Sequence, residues 1–390
     1  MKQVLIVSGV KIDDNSAASK RIKSFTLALS PKVDEVYVIS FYSVVKNRKF
    51  QFNNSNNNIF HSVELPISIR RSIKLIKTNI SLLNDFLKHN SEAKIIIYPT
   101  MFFIYDIVLI LNLLINNKGF YIELNEVKKY CLHSFKTKNS FLKKTISHFV
   151  YTFMDLLYKT AEGHLYISST IAKYYNKKKS IVIPILCNTI NLPPQKFKKY
   201  SASETFYIGF AGSIDPLKEK MKPFFESIRN ISKIHPKIKI NLYGKIPNEN
   251  ELLSILNEYD IKDVFDYKGM IKHSLLIERL KKENHLLILP RGNTKQNYYG
   301  FSTKLADYLE SQTPILTSTV GDIGKYFVEM KNSFNYIPDD VDSLTKKLEF
   351  IIKNYNDVAP VIIKGGDDLV NDVLYFSNYT DVLYNFLYDD

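Results

Sequence analysis

Short apolar runs alternate with helix-spaced ones along most of this chain. Gln3–Ser8 is a run of β-formers ending at Gly9. Ala17–Leu29 then sets Ile22, Phe25, Leu27 and Leu29 at helical spacing, and Val36–Phe41 is again strand-like. Lys94–Tyr98, Phe120–Glu123, His164–Ile167 and Ile181–Ile185 continue the series. Near-continuous β-branched runs with helices between them predict a parallel sheet buried on both faces. Met101–Ile115, interrupted only by Asp106 and Asn112, is too short to span a bilayer and predicts a buried core helix. The polar run Asn53–Asn58 predicts a surface loop.

Periodicity lapses over 191–204, which contains Pro193 and Pro194, and a linker is expected there. Beyond it the alternation restarts. Strands are expected at Phe206–Ala211, Ile238–Tyr243, Phe265–Lys268, His285–Leu289 and Pro314–Ser318, and helices at Phe224–Ile234, Ser274–Lys281 and Ser302–Glu310. The fold class that follows is α/β, with two Rossmann-like parallel-sheet domains in tandem facing a central cleft. Residues 1–190 form the first domain, 205–373 the second, and 374–390 a terminal segment. Sheets of this kind take ligands at the carboxyl ends of their strands.

Bulk properties narrow the class. At 390 residues the chain exceeds one ordinary core and suits two domains. Cys131 and Cys187 lie far apart without ligand spacing, so a disulfide framework or a cysteine-based zinc site is not expected and a reducing compartment is. The apolar stretch Val4–Val7 is far shorter than a secretory leader's core, and a cytoplasmic location is expected. The net charge of +14 draws the chain to polyanions, whether nucleic acid, anionic lipid or phosphate-bearing substrates. No helix-turn-helix, ribonucleoprotein or zinc signature is visible, so nucleic acid is not an expected partner.

Three constellations carry candidate chemistry. In the first, a strand ends at Gly212 and Ser213, and a loop with Pro216, Lys218 and Lys220 follows. Glycine lets backbone approach a diphosphate, and lysines reach its charge. In the second, Arg291 to Asp307 contains Tyr299, Gly300, Phe301, Ser302, Thr303 and Lys304. Gly300 frees the turn, Ser302 or Thr303 can cap the following helix, and that helix's first amides form an anion site. Asp307 falls one turn on, over Thr303, where a carboxylate can accept from ribose hydroxyls. In the third, Gly244-Lys245 and Gly269-Met270 follow two further strands, where a flat base can lie on backbone. Each taken alone is also an ordinary turn or cap.

The order and spacing of these segments resemble the GT-B fold glycosyltransferases, specifically the retaining family 4 group (glycosyl transferases group 1), over nearly the whole chain. Gly212, Ser213, Pro216 and Lys218 fall in that family's Gly-Arg…Pro-x-Lys pattern, with Ser213 where arginine is usual. Tyr299, Gly300-Phe301, Asp307 and Gln312-Thr-Pro314-Ile315 match its donor motif, with the first carboxylate replaced by Tyr299. Phe334–Asp340 and Phe376–Tyr388 resemble its last two segments, the final helix crossing back to the N-terminal domain. Asn15, Ser16 and Arg21 resemble its acceptor-side loop and first helix.

The resemblance implies transfer of a sugar from a nucleotide-sugar, UDP-linked by family frequency and with retention, to a glycan or lipid-linked acceptor in bacterial-type surface polysaccharide or glycoconjugate synthesis. Asp307 would bind the ribose. Lys218, with Lys220 or Lys304, would stabilise the departing diphosphate without a metal or other cofactor, since no Asp-x-Asp triplet stands in a suitable place. Asp13-Asp14 and Asp339-Asp340 read as caps or turns. Glu126 is the acidic candidate on the acceptor side, and equally a loop glutamate. Residues 128–159 carry lysines at 128, 129, 136, 138, 143, 144 and 159 against one acid, Asp155. This basic, aromatic-rich stretch fits contact with an anionic membrane surface at the inner face of the cell membrane, or a core helix with solvated lysines. With Tyr299 in place of a carboxylate, binding of nucleotide-sugar or glycan without turnover stays open beside transfer. Oligomeric state is not legible.

Overall fold

The computed structural model describes residues 1–10, 16–40, 51–52, 60–64, 72–99, 103–131, 141–189, 197–214 and 220–389. The chain separates into two compact units, Met1–Leu186 with Phe376–Asp390, and Cys187–Tyr375. The Cys187 N–H donates to Leu374 O at 2.8 Å, which ties the start of the second unit to its end.

The first unit is an eight-stranded sheet with helices. In chain order it runs β1 (Gln3–Ser8), α1 (Ala17–Leu29), β2 (Glu35–Ser40), β3 (Gln51–Phe52), β4 (Phe60–Glu64), α2 (Ser72–His89), β5 (Lys94–Tyr98), α3 (Phe103–Ile115), β6 (Tyr121–Leu124), α4 (Phe141–Tyr158), β7 (Gly163–Tyr166), α5 (Ser169–Tyr175) and β8 (Ser180–Val182). The strand order is β3-β4-β2-β1-β5-β6-β7-β8. Every pair is parallel except β3–β4 at the edge. Val4 and Ile6 on one face and Leu5, Val7 and Ile95 on the other are buried, as strands covered on both faces require. Ser16 opens α1, its Oγ accepting from the Ser19 N–H at 3.2 Å, and α1 packs Ile22, Phe25 and Leu29 into the core.

Met101–Ile115 differs from the buried helix the sequence predicts. Met101 and Phe102 lie outside the described residues. The rest, as α3, buries only Tyr105, Asp106, Leu109, Ile110 and Leu113, and leaves Ile104 56% and Ile115 78% exposed. The helix is apolar all round but covered on one side only.

The second unit runs β9 (Phe206–Ala211), α6 (Lys222–Ile234), β10 (Ile238–Tyr243), α7 (Glu249–Glu258), β11 (Phe265–Gly269), α8 (His273–Glu283), β12 (Leu286–Leu289), α9 (Lys295–Tyr299), α10 (Lys304–Glu310), β13 (Ile315–Ser318), α11 (Ile323–Tyr326), β14 (Phe334–Tyr336) and α12 (Val341–Leu369). Its six strands lie β11-β10-β9-β12-β13-β14, all parallel. β9 is central, so the carboxyl ends of β10 and β12 flank Gly212. This is the order reversal at which doubly wound sheets take ligands. Asp340 caps α12, its Oδ1 accepting from the Ser343 N–H at 2.8 Å. Asn15 and Asn53–Asn58 lie outside the described residues.

The last helix, α13 (Thr380–Tyr388), belongs to the first unit. Leu383 and Leu387 are buried with Val4, Ile22 and Ile96. Tyr121 Oη donates to Leu387 O at 3.1 Å, and Tyr388 Oη to Gln3 O at 2.9 Å.

Candidate functional site

Three strands of the second unit end in glycines with positive φ: Gly212 at 119°, Gly244 at 130° and Gly269 at 77°. Only glycine enters the first two conformations without strain. The three ends are laced together. The Gly212 N–H donates to Tyr243 O (2.8 Å), Ile214 N–H to Lys245 O (2.9 Å), and Gly244 N–H to Gly269 O (2.9 Å). Tyr267 Oη adds a bond to Gly244 O at 2.8 Å. The result is a ledge of bare backbone. A side chain at 244 would meet Gly212 O at 2.1 Å, whereas one at 269 would meet nothing within 4 Å. Open space at Gly269 and a 77%-exposed Met270 leave room for a flat ring.

Lys304 begins α10 and lies across Gly212. A Cβ at 212 would stand 2.5 Å from Lys304 Cε, and Lys304 Nζ is 4.5 Å from the centre of the Phe210 ring. Strand end and helix start, 92 residues apart in sequence by the difference 304 − 212, therefore meet. Asp307 follows at the next turn, with His273 Nε2 3.2 Å from its Oδ1. A carboxylate only accepts, so Nε2 is the donor. His273, the first residue of α8, carried no signal in the sequence, because nothing local ties it to Asp307.

The expected caps differ. Neither Ser302 nor Thr303 makes a side-chain cap bond; α10 starts at Lys304, with Thr303 in αR geometry. Leu305 and Ala306 N–H groups bond to the carbonyls of Ser302 and Thr303 at 3.2 Å. Two first-turn amides are thereby used internally, and seven residues give a weak dipole. Anion attraction at this end rests more on Lys304 than on the helix. The cap that does form is Thr294, whose Oγ1 accepts from the Asn297 N–H at 3.1 Å to start α9, a helix not expected from the sequence. Tyr299 ends α9, with Gly300 and Phe301 buried behind it.

Two expected donor contacts are engaged in structure-holding roles. Arg291 is buried and donates to Asn297 Oδ1 from Nε (3.1 Å) and Nη2 (2.5 Å), while Asn297 Nδ2 donates to Gly292 O (2.9 Å). Lys220 pairs with Asp339 at 3.0 Å across Gly292, and Asp339 also accepts from the Asn293 N–H at 3.0 Å. Asp339 thus joins the loop after β9 to the loop after β12. Ser213 is exposed beside Gly212, and Lys245 follows Gly244 on the ledge. Pro216 and Lys218 lie outside the described residues.

In the first unit, Arg21 differs from an open acceptor contact. It is 4% exposed; Nε pairs with Glu123 Oε1 at 2.5 Å, and its Nη atoms donate to Pro184 O (2.7 Å) and Ile183 O (2.8 Å). It holds the end of β6 to the chain after β8. Burial pushes the Glu123 carboxyl up, with Arg21 opposing. Ser16 is spent as the cap of α1. Glu126 is a third exposed, pairs with Lys128 at 2.8 Å and accepts from Cys131 Sγ at 3.2 Å. Asn125 Nδ2 donates to Tyr98 Oη between the ends of β5 and β6. Among the described residues no group of three His, Cys, Asp or Glu side chains is arranged to hold a metal, and no helix is long and apolar enough to cross a membrane.

A pair of Rossmann-like units, one with a glycine-and-lysine ledge at its strand ends, defines a GT-B protein. Residues 193–365 match the family model described as Glycosyl transferases group 1. That match lies within the second unit, and the chain has the GT-B fold. Among solved structures it is similar to sucrose-phosphate synthase from Thermosynechococcus elongatus, at 13% identity and a TM-score of 0.71, covering 100% of this chain and 99% of that one. It is also similar to HepE of Anabaena in complex with UDP and glucose, at 12% identity and a TM-score of 0.68, covering 99% of each. A third is the lipopolysaccharide outer core galactosyltransferase WaaB, at 16% identity and a TM-score of 0.61, covering 99% of each. No curated protein matches the chain.

Proposed function

We propose that the chain is a retaining, family 4-like glycosyltransferase that takes a UDP-linked sugar at the strand ends of its second unit and transfers the sugar to a glycan or lipid-linked acceptor in surface polysaccharide or glycoconjugate synthesis. The observation that carries this reading is the meeting of Gly212, Gly244 and Lys304 at adjacent strand ends. There the diphosphate lies on bare backbone beside an ammonium group, with Asp307 one turn on for the ribose. The base rests by Gly244-Lys245 and Gly269-Met270, and the sugar faces Tyr299-Gly300-Phe301. The UDP and glucose in the HepE complex support a UDP donor.

Breaking the glycosidic bond puts charge on the departing diphosphate. Lys304, with Lys218 from the loop after β9, stabilises that charge where it develops, which lowers the barrier more than it tightens donor binding. No metal is assigned, because these lysines meet the charge. The acceptor is assigned to the first unit, with Glu126 beside it. The membrane-facing part of the reading draws on α3 and α4, which lie side by side. Ile104, Leu111 and Ile115 of the one and Phe149, Phe153 and Leu156 of the other are exposed. These exposed apolar side chains, together with the lysine-rich sequence of 128–159, suit an anionic bilayer surface.

The test is a thermal-shift screen of UDP, GDP, ADP and CMP, since a ligand bound by the folded state raises its melting temperature. UDP is expected to give the largest shift, lost in Asp307→Ala; no shift with any of the four ends the donor-site assignment. Tyr299 in place of a carboxylate favours a second reading, binding without turnover. UDP binding with neither donor hydrolysis nor transfer would decide for it.

A further inference from the structure

At the opposite end of the second sheet, before β12 and β13 begin, lies a cavity of about 650 Å³. Small-molecule sites span roughly 300–1,000 Å³. β12 has four residues, so about 13 Å of strand separates this cavity from the ledge. Its wall is built from four places: the segment leading into β9, the end of α8, the residues before β13, and α12 around Pro360. Pro360 has no N–H to offer the preceding helical turn. Phe197 and Tyr355 make an aromatic side, with ring centres 5.4 Å apart and planes inclined at 31°. Pro314, Pro360 and Ile363 add apolar surface.

The polar part of the lining is cationic. Lys198, Lys281, Lys282 and Lys364 face one carboxylate, Asp367. Three contacts fix the frame. Lys281 Nζ donates to Gln312 Oε1 at 2.8 Å, and Gln312 Nε2 donates to Asp367 at 3.2 and 3.3 Å. Lys198 Nζ donates to Lys282 O at 3.2 Å, which draws the β9-leading segment over α8. Lys282 pairs with Glu278 on the outer side of α8. The charged side chains that line the cavity are thus four ammonium groups and one carboxylate, beside its aromatic side. Burial pushes the Lys198 and Lys281 ammonium groups down from the ordinary lysine range despite nearby carboxylates. The charge of an anion bound there would offset that penalty on the ammonium form.

We propose that this cavity is a second ligand site, separate from the donor ledge, for a small phosphate monoester carried on an apolar or aromatic body. The phosphate sits among Lys198, Lys281 and Lys364, and the body lies against Phe197 and Tyr355. The site does not depend on the donor assignment and, of the segments matched to the donor motif, shares only Gln312–Pro314, which precede β13.

Phenyl phosphate is the probe, titrated calorimetrically into the full chain. Wild type is expected to bind one equivalent saturably. The double variant K198E/K364E, changed at two exposed rim positions, is expected to weaken binding by at least about tenfold. Asp307→Asn, at the donor ledge, is expected to leave it unchanged. The neutral variant K198Q/K364Q guards against misfolding of the charge-reversed chain and is expected to fall between. Absence of saturable binding by wild type, equal binding by both lysine variants, or displacement of the probe by UDP would each overturn the proposal.

Discussion

Gly244 faces Gly212 so closely that a Cβ on the former would stand 2.1 Å from the latter's carbonyl oxygen. Backbone sets this distance on both sides, so no flexible side chain can yield, and φ at 244 is 130°. Gly244→Ala is expected to destabilise the chain by about 3 kcal/mol. Gly269→Ala meets open space and only a left-handed φ of 77°, and should cost about 1 kcal/mol. Urea unfolding of the two variants checks the difference; equal losses would mean that φ strain, not the close approach, makes the ledge glycine-only.

Asp307 and His273 form the next pair, at 3.2 Å. If Asp307 accepts from ribose hydroxyls, Asp307→Ala removes charge-assisted bonds worth about 1.5–3 kcal/mol, or about 10- to 100-fold in UDP affinity. His273→Ala leaves the carboxylate in place and loosens only its orientation, so a loss of a few-fold is expected. Isothermal titration with UDP measures both. Loss at His273 exceeding that at Asp307 would move ribose recognition to the histidine.

Two buried histidines make acid stability predictable. His164 Nε2 donates to Tyr158 O at 2.8 Å, which fixes the tautomer, and Nδ1 accepts from Tyr166 Oη at 2.7 Å. Burial pushes its pKa down to about 4. His285 is also pushed down to about 4 by burial, with Lys198 adding, and its Nδ1 accepts from the Tyr207 N–H. In the unfolded chain both sit near 6.5, so between 6.5 and 4 the unfolded state binds more protons. Their contribution is complete above pH 6.5, declines as pH falls through that window and levels off below about 4. Denaturant midpoints taken across pH 7 to 4 should slope downward, and His164→Gln should flatten part of the slope.

The terminal helix α13 completes the first unit's core rather than decorating it. Leu387 is 1% exposed and Leu383 fully buried. Leu383→Ala or Leu387→Ala should each cost about 3 kcal/mol through lost burial and a residual cavity. Ending the chain after Tyr379 should expose the α1 face and abolish cooperative unfolding of that unit. A truncated chain with wild-type melting would contradict this role.

The family resemblance was legible because glycines at strand ends, a lysine-bearing turn and a spaced acid are local patterns. Periodicity likewise gave β1, β2 and β5 to β13, though β8 ends at Val182 rather than Ile185, and it missed β3, β4 and β14. Arg21 and Arg291 read as ligand contacts because a cation near a strand end looks the same in sequence whether it points outward or is held by Glu123 or Asn297. α9 escaped because five residues are too few to show a helical period.

What the chain determines by itself is which segments become strands, where they must turn, and that the sheets run parallel; each depends on neighbours within a few residues. Partnership was decided only by tertiary structure. Lys304 crosses Gly212, Asp339 holds Lys220 at a separation of 119 residues, and His273 reaches Asp307 across 34. The physical reason is that strand order, not chain order, sets who stands beside whom. β9 lies between β10 and β12, and that placement comes from burying both faces of one sheet at once.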